Sequence, residues 1–133
     1  MNNLQLFVIK TFGEDSDAIK TLESFKGRAD KFTIVDSFFE INSIDKDDEG
    51  WFAVFYDNEV LDERLAESLE EFFKLSEADV LVCFKKSKDS QSKCPRFFRG
   101  DIELKLECLA PALEDKLVHQ AILNGWVLDA NYC

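Results

Sequence analysis

The stretch WFAVFYDNEVL, residues 51–61, decides how this chain is read. Trp51 to Tyr56 is an apolar run of strand length, halted by Asp57-Asn58-Glu59, after which Val60 and Leu61 resume apolar spacing. A run that is apolar at every position predicts a strand covered on both faces, as in the interior of an α/β sheet. The triplet then brings two carboxylates to the carboxyl end of that strand. Residues two apart at a strand end can point the same way, so Asp57 and Glu59 are candidates for one hard divalent cation, which takes oxygen ligands. The plainer alternative is a polar turn and helix start, with a side chain capping orphan amides.

Upstream, Leu4 to Ile9 reads as a first continuous strand. The turn Thr11 to Ser16 leads into Ala18, Ile19, Leu22 and Phe25 at helical spacing, and Gly27 ends that helix. Phe32 to Val35 is a second strand, closed by Asp36-Ser37. Strand, helix, strand with short links is the pattern of a crossover unit, so parallel pairing is expected. The segment Phe38 to Gly50 reads as a surface connection, with an extended piece near Phe39 to Ile41.

Downstream, Leu61, Leu65, Leu69, Phe72 and Phe73 form one apolar stripe, with Asp62, Glu63, Glu67, Glu70 and Glu71 on the other face. This predicts a helix over Asp62 to Leu75, its early acids suited to the positive end of the helix dipole. Val80 to Phe84 reads as a fourth strand, and the polar stretch Lys85 to Lys93 as a loop or hairpin tip. Pro95 to Phe98 and Ile102 to Cys108 alternate as strands. Pro111 can open a last helix carrying Leu113, Leu117, Ala121 and Ile122, stopped by Gly125 before a small strand at Trp126 to Leu128. The expected fold class is therefore α/β: a single domain, residues 1–133, with a mostly parallel central sheet flanked by helices.

The formal net charge of -11 disfavours nucleic acid and anionic membrane surfaces, and it suits a cation or a basic protein partner. No run approaches membrane-span length. Cys83, Cys94, Cys108 and Cys133 match no zinc spacing, and the single His119 adds little. Met1-Asn2-Asn3 does not read as a signal peptide, so a cytoplasmic setting with reduced thiols is expected. The basic patch Lys85, Lys86, Lys88 and Lys93 lacks interleaved aromatics, so no nucleic-acid partner is expected from it.

The order of these segments, with Val35-Asp36-Ser37 and the run from Trp51 to Leu69, resembles nucleotide-sugar glycosyltransferases of the A-fold type, in reduced form. The resemblance implies that the first strand and helix open a nucleotide-binding half, with Asp36 meeting the base. It implies that Asp57 and Glu59 hold a divalent cation, manganese or magnesium, against the diphosphate of a nucleotide-sugar. Cys94-Pro95-Arg96-Phe97-Phe98-Arg99 looks like the family's R-x-F-R segment, so Arg96 and Arg99 are expected to help hold phosphate. On their residues alone, the same arginines fit modest ion pairs on an acidic surface.

The activity so implied is sugar transfer to an acceptor hydroxyl, with the metal neutralising the leaving diphosphate. No catalytic base is identified; Asp101 and Glu103 are open choices, and Val118-His119-Gln120 is similar to a V-H-E segment of the family. The interval between Asp36 and Asp57 is shorter than in the family, and the triplet ends in Glu instead of Asp. The competing expectation is a noncatalytic acidic domain that binds a protein partner or a second copy of itself. The doublets Phe38-Phe39, Phe72-Phe73 and Phe97-Phe98 support it, because adjacent strand residues face opposite sides and one ring of each could meet a partner.

Overall fold

Polar links of two residues, more than any helix, set the architecture. The computed structural model describes residues 4–10, 15–46, 50–72, 80–87, 90–100 and 120–129. In chain order the elements are β1 (Leu4–Ile9), α1 (Asp15–Ser24), β2 (Lys31–Val35), α2 (Phe38–Ser43), β3 (Trp51–Tyr56), β4 (Glu59–Leu61), α3 (Glu63–Phe72), β5 (Val80–Ser87), β6 (Ser90–Arg99) and β7 (Gln120–Asp129). One sheet runs in the order β2-β1-β3-β6-β5-β7-β4.

The expected mostly parallel sheet is corrected: this is a mixed sheet, curled into a half-barrel and richer in strand than in helix. β1 pairs parallel with β2 and β3, and β5 with β7, whereas β3–β6, β5–β6 and β4–β7 are antiparallel. The physical reason is the length of the links. A parallel pair of consecutive strands needs a crossover of a dozen or so residues, and only α1 and α2 supply one early in the chain. β5 returns as β6 after two residues, so that pair must be a hairpin.

The same arithmetic forces the curl. β4 lies four places from β3 in the sheet, about 19 Å away if the sheet were flat. Yet only Asp57 and Asn58 separate the two strands, and three Cα steps reach at most about 11 Å. The strands between them therefore bend round until β4 comes back beside the end of β3.

Helix α1 fills the seam that remains. β4 is an edge strand, and α1 supplies the hydrogen-bonding groups that a further strand would have offered. Thr21 Oγ1 donates to Glu59 O at 2.7 Å, and Leu61 N donates to Ser24 Oγ at 3.0 Å. Thr21 is fully buried, so Thr21→Val keeps the shape and strands the Glu59 carbonyl. The expected loss is about 1–3 kcal/mol in urea unfolding; an unchanged midpoint would show the seam to be sealed otherwise.

Strand alternation sorts the core into two layers. Leu4, Leu6, Val8, Ala53, Phe55, Leu81 and Phe97 pack with Ala18 and Phe25 of the α1 region and with Leu65, Ala66 and Leu69 of α3. On the other face, Phe7, Ile9, Phe52, Val54, Val80 and Phe98 pack with Ile41 of α2. Phe97 joins Phe25 and Phe55 in tilted and edge-to-face contacts at 6.1 and 5.7 Å respectively, while Phe98 stacks on Phe52 at 5.3 Å. The doublet Phe97-Phe98 thus serves two internal layers, both rings fully buried. The side chains of Phe38, Phe39, Phe72 and Phe73 lie outside the described residues.

Further differences are local. The expected extended piece at Phe39 to Ile41 is part of α2. Ala121 and Ile122, assigned to a last helix, belong to β7, and Gly125 sits within that strand instead of ending a helix. Ile102 to Cys108, Pro111 to His119, Asp101 and Glu103 fall outside the described residues.

Candidate functional site

The first three parallel strands end in line. Ile9 of β1 is in register with Val35 of β2 and with Tyr56 of β3. The next residues, Lys10, Asp36 and Asp57, therefore share one edge, held by Lys10 N to Val35 O at 2.8 Å and Asp57 N to Ile9 O at 3.1 Å. The chain moves from β1 outward to β2, then back across β1 to β3, so strand order reverses between β1 and β3. That is the position at which open α/β sheets hold ligands, beyond the carboxyl ends of their strands.

Within this edge the acids differ. Asp36 is exposed, and its backbone N–H donates to Glu40 Oε2 at 2.7 Å, which ties the strand end to α2. Asp57 is only 3% exposed. Adjacent strands are about 4.8 Å apart, which sets Asp36 and Asp57 roughly 10 Å apart across Lys10.

Glu59, two residues after Asp57, is held by donors of the protein itself. It sits in β4, fully buried, and both of its oxygens are taken by N–H donors. Oε1 accepts from Tyr56 N at 2.8 Å and from Arg96 Nη1 at 2.5 Å. Oε2 accepts from Arg96 Nη2 at 2.7 Å and lies 2.5 Å from Lys85 Nζ. A carboxylate offers about four lone-pair directions, and here four donors occupy them. A bidentate guanidinium is a strong partner in such a site, and two cations beside the carboxylate repel a third. Among the described residues no group of three or more metal-capable side chains converges.

A bulge aims Arg96. Leu81 pairs with Phe97 but Val82 pairs with Pro95, so Arg96 is one residue too many on β6. Bulges re-aim side chains, and Pro95, which cannot donate to the ladder, is the residue expected at one. Arg96 is thereby buried with Glu59, lies 5.3 and 5.6 Å over the rings of Phe55 and Tyr56, and also donates from Nη1 to Val54 O at 3.3 Å. Arg99 goes elsewhere. It covers the ring of Trp51 at 4.2 Å, at the far end of β3, about 17 Å along the strand from Tyr56.

The structure thus brings Asp36 and Asp57 to one edge and joins Glu59 to Arg96, while Arg99 belongs to neither group. Neither Lys85 as a partner of Glu59, within a stretch that reads as a loop or hairpin tip, nor Thr21 on the backbone of Glu59 is anticipated from sequence. Pro95, at the head of the expected strand Pro95 to Phe98, is the available signal for the bulge, and hence for an inward Arg96. No helix among the described residues is long and apolar enough to cross a membrane. No protein-family model matches the chain, and no curated protein matches it.

Proposed function

We propose that this chain is a noncatalytic domain that binds a cationic protein partner, and that Glu59 holds its fold together instead of holding a metal. The observation that carries this reading is the fourfold donation onto the Glu59 carboxylate by Tyr56, Arg96 and Lys85. Metal-assisted sugar transfer needs an accessible carboxylate pair to neutralise a leaving diphosphate. Here one member of the pair is sealed in the interior by its own counter-ions. The exposed carboxylates of α3, Glu63, Glu67, Glu70 and Glu71, together with the formal charge of -11, favour a basic partner over phosphate-bearing ones.

A second reading keeps the nucleotide and drops the cation. It is favoured by the register that sets Asp36, Lys10 and Asp57 side by side where strand order reverses. One calorimetric experiment separates the two. UDP and GDP at millimolar concentration should give no heat that depends on manganese, while a lysine-rich peptide should bind and weaken as salt rises. Manganese-dependent nucleotide binding that disappears in Asp57→Ala would overturn the proposal. Metal-independent nucleotide binding that weakens in Asp36→Ala would favour the second reading.

A further inference from the structure

Two of the four cysteines are register partners across one hairpin. In the antiparallel ladder of β5 and β6, Cys83 is directly opposite Cys94. Residues so opposed share a face of the sheet, with Cα atoms about 4.5 or 5.5 Å apart according to their place in the hydrogen-bond pattern. Both spacings lie inside the Cα range that a disulfide spans, about 4.4–6.8 Å. Cβ atoms in such pairs start about 4.5–5.5 Å apart, so the ladder must tighten slightly to close the bond. A bond formed under that constraint is more easily reduced than a relaxed structural disulfide.

We infer that Cys83 and Cys94 form a reversible intramolecular disulfide when the protein meets a low-molecular-weight disulfide. The chemistry balances in two exchanges. One cysteine thiolate attacks the small disulfide and expels a small thiolate, leaving a mixed disulfide. The second cysteine thiolate then attacks the protein-side sulfur and expels the other small thiolate. The two electrons lost by the cysteines reduce the small disulfide, and the two thiol protons end on the two small thiols. No metal or nucleotide takes part, so the inference is independent of the proposed function.

The location gives the bond a consequence. Cys94 is two residues from Arg96 on β6, and Cys83 is two residues from Lys85 on β5. Those strands carry the two cations that hold Glu59. Oxidation therefore locks the spacing of both cation-bearing strands beside the bulge at Arg96. Reduction frees it.

The test is oxidation of the native chain with oxidised glutathione, an alkylating quench, and digestion without reductant. The expected product has lost two hydrogens and yields one linked peptide pair joining Cys83 to Cys94. It should persist when Cys108→Ser and Cys133→Ser are combined, vanish in Cys94→Ser, and reverse with dithiothreitol. Linkage of either cysteine to Cys108 or Cys133 would overturn the inference, as would stable glutathione adducts without an internal bond. So would alkylation of Cys83 and Cys94 to the same extent as in the untreated protein. The double serine variant reads out the bond even if Cys83→Ser fails to fold.

Discussion

Replacing Glu59 with alanine should lower the unfolding free energy by about 3–5 kcal/mol. The variant removes the carboxylate on which Arg96 and Lys85 converge, and with it the bidentate contact of a nearly buried guanidinium. It also takes an acceptor from the N–H of Tyr56, at the end of β3. Losing that contact in the buried interior outweighs every other consequence of this change. A residue kept for a ligand behaves in the opposite way, since removing an uncompensated functional group commonly leaves stability unchanged or raises it. Urea unfolding of wild type and variant distinguishes the two, and a variant as stable as wild type would contradict the structural role.

Gly125→Ala is the other change with a large expected effect, about 3–5 kcal/mol from strain and overpacking together. Between the pairs Val82–Ile122 and Phe84–Trp126, Cys83 alone faces Leu123, Asn124 and Gly125, so β7 bulges there. Gly125 has φ +103°, a conformation that L side chains rarely adopt. Helix α3 lands on that bulge: Asp62 N donates to Trp126 O at 2.9 Å, and Asp62 Oδ1 accepts from Leu65 N at 2.8 Å as the cap. A Cβ on Gly125 would fall 2.3 Å from Leu65 N and 2.6 Å from its Cα, backbone atoms that cannot move alone. Gly27 is the internal control. Its φ is +82°, yet a Cβ there meets nothing within 4 Å, so Gly27→Ala should cost only about 1 kcal/mol. Equal thermal shifts in the two variants would show that the contact with α3 is not as tight as described.

Gly125 also illustrates where sequence reasoning stops. A glycine after Leu117, Ala121 and Ile122 at helical spacing reads as a helix end, and nothing local says that a strand bulge needs the same residue. The strands β1, β2 and β3 and the helices α1 and α3 were legible because their apolar periods are long and their ends are marked by polar turns. Helix α2 was not: it is one short segment, and Phe38, Phe39 and Ile41 suit an extended piece equally well. The outer half of the β5–β6 hairpin is polar, which hid the antiparallel centre of the sheet and made the parallel expectation too broad.

For the candidate site, the sequence placed Asp36 and Asp57 at strand ends, and register does set them on one edge. It could not reveal the fate of Glu59. The acid's partner Arg96 is 37 residues further along the chain, and the pairing exists only because the sheet curls. A D-x-E triplet has the same local appearance whether its second acid faces solvent or a guanidinium.

The central claim, that Glu59 and Arg96 form one energetic unit inside the fold, is tested most directly by a double-mutant cycle. Stabilities of wild type, Glu59→Ala, Arg96→Ala and the double variant give the coupling between the two side chains. The expected coupling is about 2–3 kcal/mol, the double variant losing clearly less than the sum of the two single losses. Additive losses, with coupling near zero, would contradict it and return Glu59 to the list of residues that serve a ligand.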